Sequence, residues 1–437
     1  MGEGIPSAKP PPVTDTIFAL ATGRPPAAVS IVRVSGPLAH EAGVALAGKL
    51  PEARNAVVRD LRGPEGDLLD EALVLRFDGP VSFTGEDIIE FQCHGGRAVV
   101  DAVLAALAAM DRLREAQPGE FTRRAFENGR IDLTEAEGLA DLIEAETEAQ
   151  RRSALALAEG GLRRQIDLWR EALLGLSARA EAAIDFAEED EVGGDPALAA
   201  DCTGLAGELG DWLERPRAEP LKDGVRVVVA GPPNAGKSSL VNAIAGSERA
   251  IVTDIPGTTR DHIEVPLALA GLPILLTDTA GLRESVDAVE RIGVERTRGL
   301  VKGAGILLWL GEPDDAPDHP RLIRVHPRAD LPDRKVVPDD SLPASSLTGE
   351  GLSSLLKRIA GLAGTLLPGE GAIALNRRQA EQLHKAYDAL QHAGNVEDFV
   401  LQAEELRRAR EALDRLTGRA GVEDLLDSLF GRFCLGK

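Results

Sequence analysis

Cysteine is nearly missing: the chain of 437 residues has three, Cys93, Cys202 and Cys434, far apart and without CxxC spacing. That excludes a disulfide framework and a cysteine-built zinc site, and it fits a reducing, cytoplasmic compartment. No run of eighteen or more uncharged apolar residues occurs, so no segment is expected to span a membrane. Residues 1–12 are proline-rich and lack the apolar stretch of a secretory signal, and a short disordered tail is expected there. Positive charge is also in deficit. Lys and Arg total 49 against 71 Asp and Glu, a net charge of −22. A protein that grips nucleic acid through many phosphate contacts has the reverse balance. If RNA is handled, either a basic partner or a local patch supplies the attraction.

What is present suffices for several cores. Hydrophobic residues make up 43% of the chain, and its length allows two to four domains at roughly 150 residues each. Short apolar runs, Ala28 to Val34 and Ala72 to Phe77, read as strands, and Ala98 to Met110 reads as a helix. From residue 133 to 190 Gly–Pro punctuation almost disappears. Leu139, Leu142, Ile143, Leu155, Leu162, Ile166, Leu173 and Ile184 recur at helical steps, ending in the acidic run Asp185 to Glu191, which reads as a solvated surface. Between residues 223 and 365, β-like runs (Val225–Ala230, Ile274–Asp278, Ile306–Leu310) alternate with helical ones, the pattern of a mostly parallel sheet. Asn376 to Leu416 is helical again, followed by a short helix near Val422 to Phe430.

The expectation is a multidomain α+β and α/β chain. It has an N-terminal α+β domain, a helical bundle, and a P-loop α/β domain inserted into the helical one. The expected bounds are a tail at 1–12, the N-terminal domain at 13–125, the first helical part at 126–222, the P-loop domain at 223–368 and the second helical part at 369–437.

The chemistry concentrates in the inserted segment. Gly231-Pro232-Pro233-Asn234-Ala235-Gly236-Lys237-Ser238 fits G-x-x-x-x-G-K-S, after a β-run and opening a helical one. The glycines let successive N–H groups face phosphate oxygens, Lys237 can reach the β- and γ-phosphates, and the Ser238 hydroxyl can ligate Mg²⁺. Asp278-Thr279-Ala280-Gly281 puts a carboxylate at a strand end, where such folds hold magnesium through water; Gly281 lets its N–H face the γ-phosphate. Thr259, in Gly257-Thr258-Thr259-Arg260-Asp261, is the expected second hydroxyl ligand of Mg²⁺. Leu282 stands where Ras-type GTPases carry a water-orienting glutamine. Asn234 has two readings, a turn-stabilising residue or a carbonyl ligand for a monovalent cation that neutralises transition-state charge.

Guanine recognition is incomplete. The place of N-K-x-D is taken by Pro327-Arg328-Ala329-Asp330, so only Asp330 keeps its role toward the base edge. Ser345 and Ser346 can assist at the guanine O6.

These motifs carry a resemblance. Gly231–Ser239, Gly257–Asp261, Asp278–Arg283 and the terminal Phe433-Cys434-Leu435-Gly436-Lys437 resemble the bacterial tRNA modification GTPases of the MnmE (TrmE) family. So do Asp15-Thr16-Ile17, Ile31–Gly36, Phe83–Asp87 and Pro118–Phe121. The resemblance runs from about residue 14 to the end. It implies an N-terminal folate-binding and dimerising domain. It also implies a homodimer, an FAD-containing partner, MnmG, in a heterotetramer, and tRNA engaged mainly through that complex. The implied activity is potassium-stimulated GTP hydrolysis coupled to adding an aminomethyl or carboxymethylaminomethyl group at C5 of wobble uridine. The implied cofactors are GTP, Mg²⁺, K⁺ and 5-formyl- or 5,10-methylene-tetrahydrofolate.

Residue by residue, the resemblance makes Asn234, Thr253, Ile255 and Thr258 the potassium site and Glu290 the glutamate that orients water. GTP contacts are expected at Asn234, Ala235, Gly236, Lys237, Ser238 and Ser239. They are also expected at Thr253, Asp254, Ile255, Pro256, Gly257, Thr258 and Thr259, at Asp278, Thr279, Ala280 and Gly281, and at Asp330, Ser345 and Ser346. Arg33, Glu90, Arg130 and Lys437 match folate-contacting positions, with Arg130 in place of a frequent lysine. Cys434 falls where a catalytic cysteine is implied. Two other readings remain: a ribosome-assembly GTPase, which the acidic balance disfavours, and a folate-dependent one-carbon carrier with a vestigial GTPase domain, which the degenerate guanine motif motivates.

Overall fold

The computed structural model describes residues 15–186, 196–247, 249–250, 263–279, 299–369, 371–420, 423–431, 433 and 436. The chain divides into two compact units, one formed by residues 1–140 and 417–437, the other by residues 141–416.

The first unit is built on a sheet of β1 (Thr16–Leu20), β2 (Val29–Ser35), β3 (Val57–Arg62), β4 (Leu68–Phe77), β5 (Ile88–His94) and β6 (Leu113–Glu115), ordered β3-β4-β5-β2-β1-β6. All neighbours are antiparallel except β1 and β6. Alternate residues of β2, Ser30, Val32 and Val34, are buried. Val32 and Val34 join a core with Phe18, Phe91, Val103 and Leu107, to which the helices Ala39–Ala47 and Arg97–Ala108 contribute. The C-terminal helix Glu423–Phe430 belongs to this unit: Phe430 and Phe433 share a cluster with Leu133 and Ala136.

In the second unit β7 (Val225–Ala230), β8 (Arg249–Ala250), β9 (Ile263–Leu269), β10 (Leu272–Asp278), β11 (Ile306–Trp309), β12 (Leu322–Pro327) and β13 (Ser341–Ala344) form a sheet ordered β13-β12-β11-β7-β10-β9-β8. The pairs from β13 to β10 are parallel; β9 and β8 add antiparallel strands at one edge. Central β7 reads Val-Arg-Val-Val-Val-Ala and is buried on both faces, as a parallel strand covered by helices must be. Four helices, Gly161–Phe186, Pro196–Leu213, Arg377–Asn395 and Phe399–Thr417, share another core that includes Leu162, Ile166, Trp169, Leu209, Leu383 and Leu413. One bundle core thus draws on chain before and after the sheet, so the P-loop domain is inserted into the helical one.

The helical expectation needs local correction. Ile143 is 39% exposed although its periodicity placed it on an apolar face. Asn376–Leu416 is two helices separated at residues 396–398. Asp185 and Phe186 end their helix, and Ala187 to Glu191 lie outside the described residues.

Candidate functional site

The P-loop leaves β7 at Gly231 and enters the helix Lys237–Ser247. Gly231 has φ +150°, and a Cβ there would stand 3.2 Å from Leu310, so the first turn needs glycine. Gly236 is left-handed at φ +93° and so, unusually for a residue with a side chain, is Asn234 at φ 61°. Lys237 is buried, and its Nζ donates to the carbonyls of Gly231 at 3.0 Å and Pro232 at 2.8 Å. The ammonium therefore lies within the curl of the loop.

Parallel pairing of β10 with β7 aligns Asp278 with Val229. This brings Asp278 to the P-loop helix, where the Ser238 hydroxyl donates to its Oδ2 at 2.6 Å. Thr279 locks the strand end by donating its Oγ1 to the Val229 carbonyl at 2.8 Å. Two oxygens of the type a hard divalent cation prefers thus meet beside a buried lysine.

The base side departs from the expected motif. Pro327 is drawn into β12, pairs with Ala344 and presents no amide side chain. Arg328 is left-handed at φ 60°, and its Nη2 donates to the Asn234 carbonyl at 2.8 Å. That bond ties the base loop to the P-loop and was not foreseen, because the partners are 94 residues apart. Gly236, Ser239, Leu240, Pro327, Arg328 and Ser346 line a narrow slot at this junction. Ser345 is buried and its Oγ accepts from the N–H groups of Leu347 at 3.2 Å and Thr348 at 3.1 Å. Asp330 is half-buried and is not among the residues lining the slot. Thr253, Asp254, Ile255, Pro256, Gly257, Thr258, Thr259, Ala280, Gly281, Leu282 and Glu290 lie outside the described residues.

In the first unit Arg33 and Glu90 face each other across paired β2 and β5. Arg33 Nε and Nη2 both reach Glu90 Oε1 at 2.8 Å, and Nη1 donates to the Gly436 carbonyl at 3.4 Å. Gly436 of the C-terminal motif is thereby held next to this pair. Arg130 engages a different turn, donating its Nε to the Ser82 carbonyl at 3.0 Å. Cys434 and Lys437 lie outside the described residues. Burial pushes the Cys93 thiol up to about 12 and the Cys202 thiol up to about 11, which keeps both protonated and inert.

Sequence reasoning passed over Arg124. Its side chain is 2% exposed and serves three carboxylates: Glu86 at 3.2 Å, Asp15 at 3.0 Å and Glu120 at 3.1 Å. The available signal was that each of those acids sits in one of the motifs quoted above, with Arg124 four residues after Glu120. Burial alone would raise the Glu120 carboxyl, but hydrogen bonds from Arg114, the Gln117 N–H and Arg124 outweigh it and hold it below its usual value. A further cluster sets His40 3.3 Å from Asp78 and 3.4 Å from Asp87, with Asp78 already clasped by Arg76.

Comparison with known proteins accords with this geometry. The family model for the MnmE helical domain matches residues 133–434, and that for the GTP-binding protein TrmE N-terminus matches residues 16–130. A tRNA modification GTPase MnmE of Erythrobacter litoralis is 52% identical over 97% of this chain and 100% of its own. One from Rhizorhabdus wittichii is 53% identical over 97% of each chain. Among solved structures, the G domain of the T. maritima FeoB iron transporter is 26% identical, covering 32% of this chain and 98% of that one at a TM-score of 0.24. With a helical-domain match over more than half its length and such relatives end to end, the chain belongs to the MnmE family of tRNA modification GTPases, and is a GTP hydrolase of tRNA modification.

Proposed function

We propose that this GTPase binds magnesium-GTP between the P-loop and the end of β10, and that potassium stimulates its hydrolysis. The observation that carries the reading is the Ser238–Asp278 pair at 2.6 Å beside the inward-turned Lys237. Those oxygens fit a magnesium ion, with Ser238 as direct ligand and Asp278 acting through water. Lys237 then exchanges loop carbonyls for phosphate oxygens. Thr259 completes the magnesium set. Asn234, Thr253, Ile255 and Thr258 hold potassium, which supplies positive charge to the transferring phosphate. Glu290 orients the attacking water, the task for which Leu282 is unsuited. Asp330, Ser345 and Ser346 read the guanine.

In the first unit, Arg33, Glu90, Arg130 and Lys437 hold a tetrahydrofolate. The fit rests on Glu90: both Arg33 contacts go to Oε1, and Oε2 has no hydrogen-bond partner among the described residues, so it can accept from a pterin's donor edge. The folate supplies the one-carbon unit for wobble-uridine modification at C5, carried out by a cytoplasmic homodimer with the flavoprotein MnmG. Cys434 is the candidate catalytic thiol. The domain partition at residues 125, 222 and 368 belongs to the same reading.

Purified protein is expected to hydrolyse GTP several-fold faster in potassium than in sodium. Glu290→Ala should keep GTP affinity while slowing turnover by at least about tenfold. Equal rates in the two salts remove the cation role of Asn234, and full turnover in the variant removes that of Glu290. Nucleoside analysis of wobble uridine in cells lacking the protein tests the modification itself.

A further inference from the structure

An acidic protein that acts on tRNA needs some place where phosphate is welcome. One candidate among the described residues lies away from the proposed nucleotide and folate sites. A groove of about 600 Å³ runs between the stretch that leaves the bundle for the sheet and the first turns of the helix on the return path. Its polar lining is Arg217, Glu219, Arg377, Glu381, His384 and Lys385.

The two crossing segments are fastened together: the Ala218 N–H donates to the Leu375 carbonyl at 3.1 Å. Arg217 is thereby held beside the helix start, which the Asn376–Gln379 capping box fixes. Arg377 pairs with Glu381 at 3.1 Å, which leaves Glu219 as the other opposing charge. Arg217 and Lys385 make no hydrogen bond or ion pair among the described residues, and Arg217 Nη1 is closed off from solvent without a partner. Nη1 is out of a ligand's reach as well; the donors open to one are Nε and Nη2, which have no partner among the described residues and are not closed off.

The helix adds a second anomaly. Its first turn holds Arg377 and Arg378 and no acid, the reverse of what the helix dipole favours. Arg378 is accounted for, since it caps carbonyls of Arg415 and Leu416 at 3.3 and 3.2 Å; Arg377 stays 87% exposed at the groove. The apolar floor comes from Ala380 and the stems of the long side chains, and the groove is largely open to solvent, which admits a continuous chain as well as a small molecule.

We propose that this groove is a contact for the tRNA phosphate backbone, with Arg217 and Lys385 as the two cations that take phosphate. The inference rests on the family's action on tRNA. Arg217 offers the planar fork that matches phosphate oxygens, and Lys385 a point charge beside it. The groove resolves the alternative that composition leaves open in favour of a local patch on this chain.

The test uses the full-length protein and a tRNA transcript at low ionic strength, with binding followed by fluorescence anisotropy. The Arg217→Glu/Lys385→Glu double variant is expected to bind tRNA at least about tenfold more weakly. Its log K against log salt slope should be shallower by about 1.5, the loss of two phosphate contacts. Its tRNA-free GTP hydrolysis should match the unaltered protein, which shows that the variant folds and keeps the GTPase reading separate. Arg217→Lys/Lys385→Arg should retain most of the affinity. Unchanged affinity and slope in the reversal variant, or no binding by the unaltered protein, overturns the proposal. So does pyrophosphate displacing tRNA from the unaltered protein but not from the variant at equal ionic strength, because that marks a small-anion site.

Discussion

Single residues carry the first unit's response to acid. Arg124 is buried among Asp15, Glu86 and Glu120, while Arg114 reaches Glu120 and Asp15 from the rim. For Asp15 as for Glu120, burial pulls the pKa up, but the arginines win and the folded-state value lies below the ordinary one. A carboxylate with a depressed folded pKa stabilises the fold above its unfolded pKa, about 4 for these groups, and loses that contribution as pH falls through the folded value. Opening of the helix Glu120–Glu127 should therefore be independent of pH from about 8 to 5 and rise below about pH 4.5. Amide hydrogen exchange read by mass spectrometry can follow it, since the three tryptophans, Trp169, Trp212 and Trp309, all lie in the other unit. Glu120→Gln should open more readily at pH 7 yet show a shallower acid response. An acid response identical to that of the unaltered protein shows that these pairs are not its source.

At the level of elements, the bundle rests on caps and on one apolar seam. Asn376 accepts from the Gln379 N–H at 2.9 Å, and the Gln379 side chain accepts in return from the Asn376 N–H at 3.1 Å. Asn376→Ala should cost about 1 kcal/mol, and Leu383→Ala, at a wholly buried position in the same helix, about 2–5 kcal/mol. Urea denaturation followed by tryptophan fluorescence measures both; the reverse order would mean that the seam relaxes around the gap. Elements of this kind were largely legible in the sequence. The run Val225–Ala230 had to be a strand, because the phosphate motif needs one before it and a helix after it. Helical spacing identified Leu162, Ile166 and Leu173 but also put the exposed Ile143 on the apolar face, because periodicity defines a face and not what covers it; buried Trp169, three residues after Ile166 and four before Leu173, fits the same spacing and was passed over. The reach of Arg328 to the Asn234 carbonyl was beyond reading, since the groups lie 94 residues apart; in the Arg124 network only the Asp15 contact is that distant, and the nearby Glu120 was the signal passed over.

The whole molecule places a discontinuous bundle around a continuous switch. The bundle core draws on residues 157–209 and 375–416, while the sheet core draws on residues 221–367, and the two clusters share no member. Separate cores imply that the sheet segment can fold without the bundle, whereas the bundle cannot form from its first half. A chain of residues 216–368 keeps Leu221 and Leu367, the outermost members of its core, and should fold, bind GTP and lose that binding with Lys237→Ala. It forfeits the contact in which the Ala149 N–H donates to the Gly271 carbonyl at 3.2 Å, so it should melt at a lower temperature than the sheet does in the full chain. Saturating GTP analogue, at about 100 times its Kd, should restore about 2.7 kcal/mol. A chain ending at residue 368 leaves Leu162, Ile166, Trp169 and Leu173 without the helices that cover them, and should aggregate. Calorimetry and light scattering on the two fragments decide the matter. If 216–368 is unfolded while 1–368 is soluble, the bundle is the scaffold on which the nucleotide domain depends, and the insertion is not an independent switch.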